Sequence, residues 1–209
     1  MTLAALAVFA AVPAVALSES LSGASSRWSL ADGGRKIVWD VANDARLPHA
    51  DSLEMSGLRA SLILSYSVAA DRSLSLGRRV VWPSLRVQPN NTHGSFIYDF
   101  PEDKMPRPTG DGKPCGEVVD SISFDGVWCA ESRLADGALR IVRRVFPSLN
   151  KPAAFELVEV ENLSSTPRAI AFSKDFADYR LGCTGCYEVR AQAFPSGVIT
   201  LAPGKKGTW

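Results

Sequence analysis

Residues 59–68 read "RASLILSYSV", and this order of side chains limits the possible folds more than any other feature of the chain. Ala60, Leu62, Leu64, Tyr66 and Val68 occupy every second position, with Ser61, Ser65 and Ser67 between them; only Ile63 breaks the polar side. An extended backbone sends successive side chains to opposite faces, so the segment predicts a strand with one buried and one mostly wet face. "RKIVWDV" (35–41) repeats the pattern, with Ile37, Trp39 and Val41 inward. "VVDSISF", "ALRIVRRVF", "AFELVEVEN", "RAIAFS", "YEVRAQAF" and "GVITLAPG" supply six more candidates, rich in the β-branched and aromatic residues that pleated surfaces favour. Turn signals such as "ADGG", "FDG", "ADGA", "NLSSTP" and "APGKKG" fall between them at roughly the spacing of a strand-and-turn fold. The fold class predicted is all-β, a large antiparallel β-sandwich of two stacked sheets. Residues 100–117, "FPEDKMPRPTGDGKPCGE", carry too much Pro, Gly and charge for a strand and are expected to form a long surface loop or flexible insertion.

A length of 209 residues with 46% hydrophobic content suits one large domain with a real core. The net charge of +1, with no basic run, argues against nucleic acid as a partner, because phosphate binding needs clustered Lys and Arg. The opening "MTLAALAVFAAVPAVA" is uncharged and ends in the A-x-A pattern Ala14-Val15-Ala16. It reads as a signal peptide (1–16) cleaved after Ala16, although no Lys or Arg precedes the apolar run; a short buried or anchoring helix is the alternative. The division expected is signal 1–16, linker 17–34 and sandwich 35–209, with the mature protein secreted or periplasmic and free of the membrane. "ITLAPGKKGTW" reads as a strand, a turn and the start of another strand. A sheet edge cut there would be left unpaired, so the chain is expected to be a fragment.

The four cysteines are Cys115, Cys129, Cys183 and Cys186. "CTGC" has C-x-x-C spacing, but its flanks read as loop and strand rather than the helix start that a redox pair needs. Two readings are carried forward: local disulfides 115–129 and 183–186, or reduced thiols. The three arginines of "LRIVRRV", at 140, 143 and 144, predict a solvated face and one buried pairing rather than an anion site. No G-x-S-x-G elbow and no phosphate-binding glycine loop occurs, and no cofactor is expected.

Two polar stretches invite a functional reading. In "PNNTHG" (89–94), Asn90, Asn91, Thr92 and His93 could simply build a turn, with the imidazole beside Trp82 or Phe96. Alternatively, their amide, hydroxyl and imidazole groups could meet sugar hydroxyls, with Trp82 as a stacking platform. In "DVANDARLPHADSLEMSG" (40–57), His49 and Asp51 could touch sugar, while Arg46 with Asp44 or Asp51 could instead lock the loop as an ion pair. The spacing of a calcium loop is absent, and no metal site is expected.

Four stretches together carry a resemblance: "IVWDVANDARLPHADSLEMSGLRASLILSYSV", "RVVWPSLRVQPNNTHGSF", "LRIVRRVFPSLNKPAAFELVEVENLSSTPRAI" and "GCYEVRAQAFPSGVITLAPG". They resemble the N-terminal supersandwich domain of bacterial secreted glycoside hydrolases whose catalytic domain is an (α/α)6 six-hairpin barrel. The Phe-Pro-Ser, Lys-Pro-Ala and Glu-x-Asn progression of that domain is similar to Phe146-Pro147-Ser148, Lys151-Pro152-Ala153 and the Glu161 to Ser164 segment around Asn162. The resemblance implies an oligo- or polysaccharide as partner and a C-terminal helical barrel in the full-length chain. It also implies catalytic carboxylates outside these 209 residues. Its rivals are a stand-alone carbohydrate-binding module and a structural or adhesive sandwich without a ligand; the last predicts that residues 89–94 and 40–54 fall at different ends of the fold. In a longer chain carrying the helical domain, Asn91→Ala with His93→Ala should weaken turnover without unfolding the protein, measured as glycan hydrolysis beside thermal melting. Unchanged turnover would remove the loop from the site.

Overall fold

The computed structural model describes residues 26–86, 95–173, 175–179 and 187–209. The expected signal peptide, the loop bearing Asn90, Asn91, Thr92 and His93, and the pair Cys183 and Cys186 lie outside the described residues. Strands are numbered in chain order, and every pairing among them is antiparallel. The largest sheet has the order β1 (Trp28–Ala31), β2 (Lys36–Asp40), β9 (Glu117–Phe124), β10 (Trp128–Leu134), β11 (Leu139–Pro147), β12 (Ala154–Asn162) and β17 (Lys206–Thr208). A second sheet runs β3 (His49–Ser56), β4 (Ser61–Val68), β5 (Leu74–Arg86), β6 (Ser95–Phe100). A third runs β16 (Val198–Leu201), β13 (Arg168–Phe172), β7 (Pro108–Gly110), β8 (Lys113–Pro114), and β14 (Phe176–Tyr179) forms a hairpin with β15 (Glu188–Ala191). The protein is an all-β antiparallel multi-sheet domain of sandwich type. Among the described residues no helix is long and apolar enough to cross a membrane.

The alternation of residues 60–68 holds. Ala60, Leu62, Leu64, Tyr66 and Val68 are buried, while the serines and Ile63 between them keep contact with solvent. In β2 and just beyond it Trp39 and Val41 are buried and Ile37 is half-buried. Region 100–117 corrects the loop expectation. Pro108–Gly110 and Lys113–Pro114 pair with each other, and β7 also pairs with β13. Pro108 is the first residue of β7 and Pro114 lies on the edge strand β8, positions where a missing N–H is tolerated.

The interior divides into two apolar clusters. Trp39, Leu62, Leu64, Ile122, Trp128 and Val145 belong to the first, between the seven-stranded sheet and β3–β6. Leu139, Ile141, Val158, Val160, Ile170, Leu201 and Trp209 form the second, between the same large sheet and the β16–β13–β7–β8 sheet. One long sheet is therefore covered by two smaller ones. Along β11 the inward positions run Leu139, Ile141, Arg143, Val145, so a buried arginine marks the boundary between the clusters.

The β11–β12 connection fastens the layers together. The Ser148 amide donates to the Ala153 carbonyl (2.8 Å), and the Leu58 amide of the β3–β4 turn donates to the Leu149 carbonyl (2.9 Å). Trp82 of β5 donates its indole N–H to the Pro152 carbonyl (2.8 Å). At the other end of β12, Asn162 is fully buried; its amide nitrogen donates to the carbonyls of Thr166 and Leu201, and its oxygen accepts from the Ser164 amide and hydroxyl. Gly57 meets the β11–β12 turn so closely that an added Cβ would collide with the Ser148 carbonyl oxygen. Gly57→Ala is therefore expected to destabilise the domain by about 1–3 kcal/mol, the usual cost of overpacking, read as a lower urea midpoint. Gly116→Ala, whose methyl meets open space, should leave the midpoint in place; equal midpoints for both variants would contradict the close approach.

Candidate functional site

Side-chain parity places four charged residues inside the sandwich. Arg143 shares its face of β11 with Ile141 and Val145, and Glu156 shares its face of β12 with Val158 and Val160. Arg143 bonds Glu156 and Glu117. Arg78, from the opposing β5, donates its Nε–H to Glu156 Oε2 at 2.7 Å and another N–H to the Leu76 carbonyl at 3.1 Å. Ser132 completes the row by donating its hydroxyl to Glu117 at 2.8 Å. Burial acts to raise the Glu156 pKa, but the guanidinium charges of Arg143 and Arg78 outweigh it and hold the carboxyl at about 2. Burial likewise opposes the charge on Arg143, yet Glu156 and Glu117 raise its pKa above the ordinary arginine value. The row sets two arginines against two glutamates.

This row separates two cavities. The larger, about 530 Å³, opens at the side of the sandwich between β12 and the β14–β15 hairpin. Its walls include Trp82, Val80, Trp209 and Phe194, with Arg78 and Glu156 at its charged side. The smaller, about 220 Å³, lies beside Arg143, Glu117, Glu102, Arg107 and Cys115. A cavity of several hundred Å³ with mostly apolar walls and a few placed polar groups is the usual form of a ligand site. A general acid for glycoside hydrolysis, however, must keep its proton near neutral pH. Glu156 does the reverse, and Glu117 is bound to the same arginine.

Of the sequence-predicted sugar-binding residues, the three that are described stand apart. Trp82 lines the larger cavity, but it is 8% exposed and packs against Phe96 with ring centroids 5.3 Å apart, so it offers no open stacking face. His49 and Asp51 stand at the far end of the same sheet. His49 pairs with Val68 and Val68 with Leu74, whereas Val81, next to Trp82, pairs with Ser61 and Ser61 with Ser56. The His49 ring lies edge-on to Trp39 at 5.1 Å; burial first, and then the Arg27 charge, push its pKa below the ordinary 6.5 against the pull of Asp51 and Asp44. Asp51 accepts from the Ser52 amide at 2.7 Å. The loop-locking ion pair falls on Asp44, which accepts from the side chain and amide of Arg46 (both 2.9 Å) and from the Trp39 indole (2.8 Å). Those bonds, the Arg46 contacts foremost, outweigh burial and hold the Asp44 carboxyl at about 2.

Cys115 and Cys129 are both free thiols, which corrects the 115–129 disulfide and leaves the reduced reading for that pair. They sit apart, Cys129 on β10 opposite Arg144 and Cys115 against Gly110 of β7; burial pushes the Cys115 thiol up to about 11 and raises that of Cys129. Among the described residues no three His, Cys, Asp or Glu side chains gather as a metal-holding group. The buried pairing expected within "LRIVRRV" is Arg143, while Arg140 bonds Glu131 at 2.5 Å and Arg144 is exposed. Its partners Glu117 and Glu156, and Arg78 on the far side of Glu156, escaped the sequence reading, although the even parity of Glu156 with Val158 and Val160 was the available signal. Comparison with known proteins returns no match among family models, curated proteins or solved structures.

Because the folded pKa of Glu156 lies below its ordinary 4.5, its stabilisation is complete above about pH 4.5 and disappears as pH falls toward 2. Glu156→Gln should therefore cost on the order of 3 kcal/mol at pH 7, with the difference from the parent protein shrinking between pH 4.5 and 2. Urea denaturation across that range checks it, and a cost independent of pH would contradict the ionised row.

Proposed function

We propose that this chain is the N-terminal β-sandwich domain of an exported carbohydrate-active enzyme, a glycoside hydrolase, supporting an (α/α)6 helical domain that carries the catalytic carboxylates. The observation that carries this reading is the open side of the sandwich. There Phe155, Leu157 and Phe194 are exposed beside the larger cavity (45%, 40% and 67%), an apolar strip of the kind that a neighbouring domain covers. The sequence resemblance supports the same assignment, and its Phe-Pro-Ser and Lys-Pro-Ala segments form the turn that holds β12 in place beside that strip. Hydrolysis needs two carboxylates about the scissile bond, one of them protonated. Glu117 and Glu156 are spent on Arg143, so the chemistry is assigned to the helical partner. Glycan contact is assigned to the Asn90–His93 loop, which follows Trp82 in the chain.

The rivals fare unequally. A stand-alone sugar-binding module works through a platform of exposed aromatics, but four of the five tryptophans are buried and Trp28 is half-buried. A structural sandwich gains from one observation: His49 and Asp51 stand at the opposite end of their sheet from Trp82, so these three residues do not build one site.

The test is the polypeptide that joins this chain to its helical domain, assayed for reducing-end release from a panel of oligo- and polysaccharides. Release by the joined protein and none by the 209-residue chain is expected. Leu157→Asp, on the exposed strip, should lower turnover by about tenfold, corresponding to roughly 1.4 kcal/mol of lost interface. No release from any glycan, or release by the short chain alone, would overturn the assignment.

A further inference from the structure

The larger cavity meets its two bounding strands edge-on. Its walls take seven consecutive residues of one segment, 152–158, and seven of another, 188–194. A cavity lying over the face of a strand touches alternate residues, so unbroken runs mean that backbone edges line it.

Part of the β12 edge there has no strand beside it among the described residues. β12 pairs along its whole length with β11, but on its other side β17 covers only Glu159 to Glu161, followed by the mutual bonds between Val158 and Trp209 (2.9 and 3.0 Å). Among the described residues, no strand pairs with 154–157 on that side. Alternate residues of an antiparallel strand send N–H and C=O to the same edge. Val158 and Asn162 bond toward the β17 side, so Glu156 and Ala154 present their amides and carbonyls to the cavity. Across the cavity stands β15, whose paired strand among the described residues is β14.

We infer that the slot between β12 and β15 receives an extended peptide strand, which joins the seven-stranded sheet antiparallel to β12 in the register already set by β17, opposite Leu157 to Ala154. Main-chain bonds to Glu156 and Ala154 would hold it, and the side chains facing the slot would select it. Directly opposed residues in an antiparallel pair share a face. A residue opposite Leu157 or Phe155 therefore lies on their exposed apolar side, and one opposite Glu156 points inward. Glu156 is already neutralised by Arg78 and Arg143, so that inward residue is uncharged and small. The occupant assigned is the connecting segment of the helical partner. That identity rests on the function proposed above, whereas the slot itself does not.

The strand is supplied at high effective concentration by appending four residues after Trp209. Three extended chains are compared by amide hydrogen exchange: Val-Thr-Val-Thr, Gly-Ser-Gly-Ser, and Val-Asp-Val-Asp, which places a carboxylate opposite Glu156. With Val-Thr-Val-Thr the Ala154 and Glu156 amides are expected to exchange at least about tenfold more slowly than with Gly-Ser-Gly-Ser. The Phe155 and Leu157 amides, which face β11, should be unchanged, and Val-Asp-Val-Asp should give no protection. Equal exchange of Ala154 and Glu156 in the Val-Thr and Gly-Ser chains would overturn the proposal. An inactive joined protein with protected amides would sink only the hydrolase reading; an active one with unprotected amides would sink only the slot.

Discussion

Arg78 and Glu156 come from different sheets, and the 2.7 Å contact between them carries charge across the interior of the sandwich. Taking ions out of water costs several kcal/mol each, so such a contact survives only where every charge is matched and hydrogen-bonded. Here the matching runs through Arg143 to Glu117, and Ser132 and the Leu76 carbonyl satisfy further positions. The row fixes more than stability. It sets where one apolar cluster ends and the other begins, because Val145 and Ile141 lie on either side of Arg143 along one strand. The register of β11 on β12, and of both beneath β5, follows from it: a slip of one residue would turn Arg143 and Glu156 out to solvent and bring Arg144 and Phe155 in.

That division shapes the rest of the molecule. One seven-stranded sheet under two smaller sheets leaves a gap where the covers meet, and the charged row lies beneath it. The cavities on either side are its consequence. The hairpin β14–β15 closes part of the gap, with Val189 in the first cluster and Tyr187 against Phe96 at 5.1 Å. What remains open is the flank of β12, with aromatic and aliphatic side chains at its rim. A domain interface fits this flank better than a small-ligand pocket does, because the charged groups inside it are already occupied by one another.

The parts of the fold legible in the sequence were those with a clean period of two. β4 showed itself because all its inward positions are apolar and nearly all the others serine. β3 escaped because Asp51 interrupts its inward series His49, Leu53 and Met55, and most of the strand is exposed at a sheet edge. β10 escaped for the opposite reason: its inward positions are Trp128, Ala130 and Ser132, a series too mixed in size and polarity to read as a core face. The 100–117 segment was read from its Pro and Gly content, which describes its turns correctly but hides strands of two and three residues. For the site, alternation alone could have placed Arg143 and Glu156 inside. It could not have named Arg78, since the contact across the layers depends on how β5 lies over β12. The polar residues that stood out, His49 and Asp51, did so by their chemistry; His49 lies edge-on to Trp39, and Asp51 accepts from the amide of the next residue.

The claim that the fold depends on a charge pair shared between sheets is tested most directly by a double-mutant cycle. Stability to urea at pH 7 would be measured for the parent protein, Arg78→Met, Glu156→Gln and the double variant. A pair that acts as described gives a coupling energy of about 2–3 kcal/mol, with the double variant much less destabilised than the sum of the single changes. Additive losses, with coupling within about 0.5 kcal/mol of zero, would mean that the two residues stand near each other without holding the sheets together.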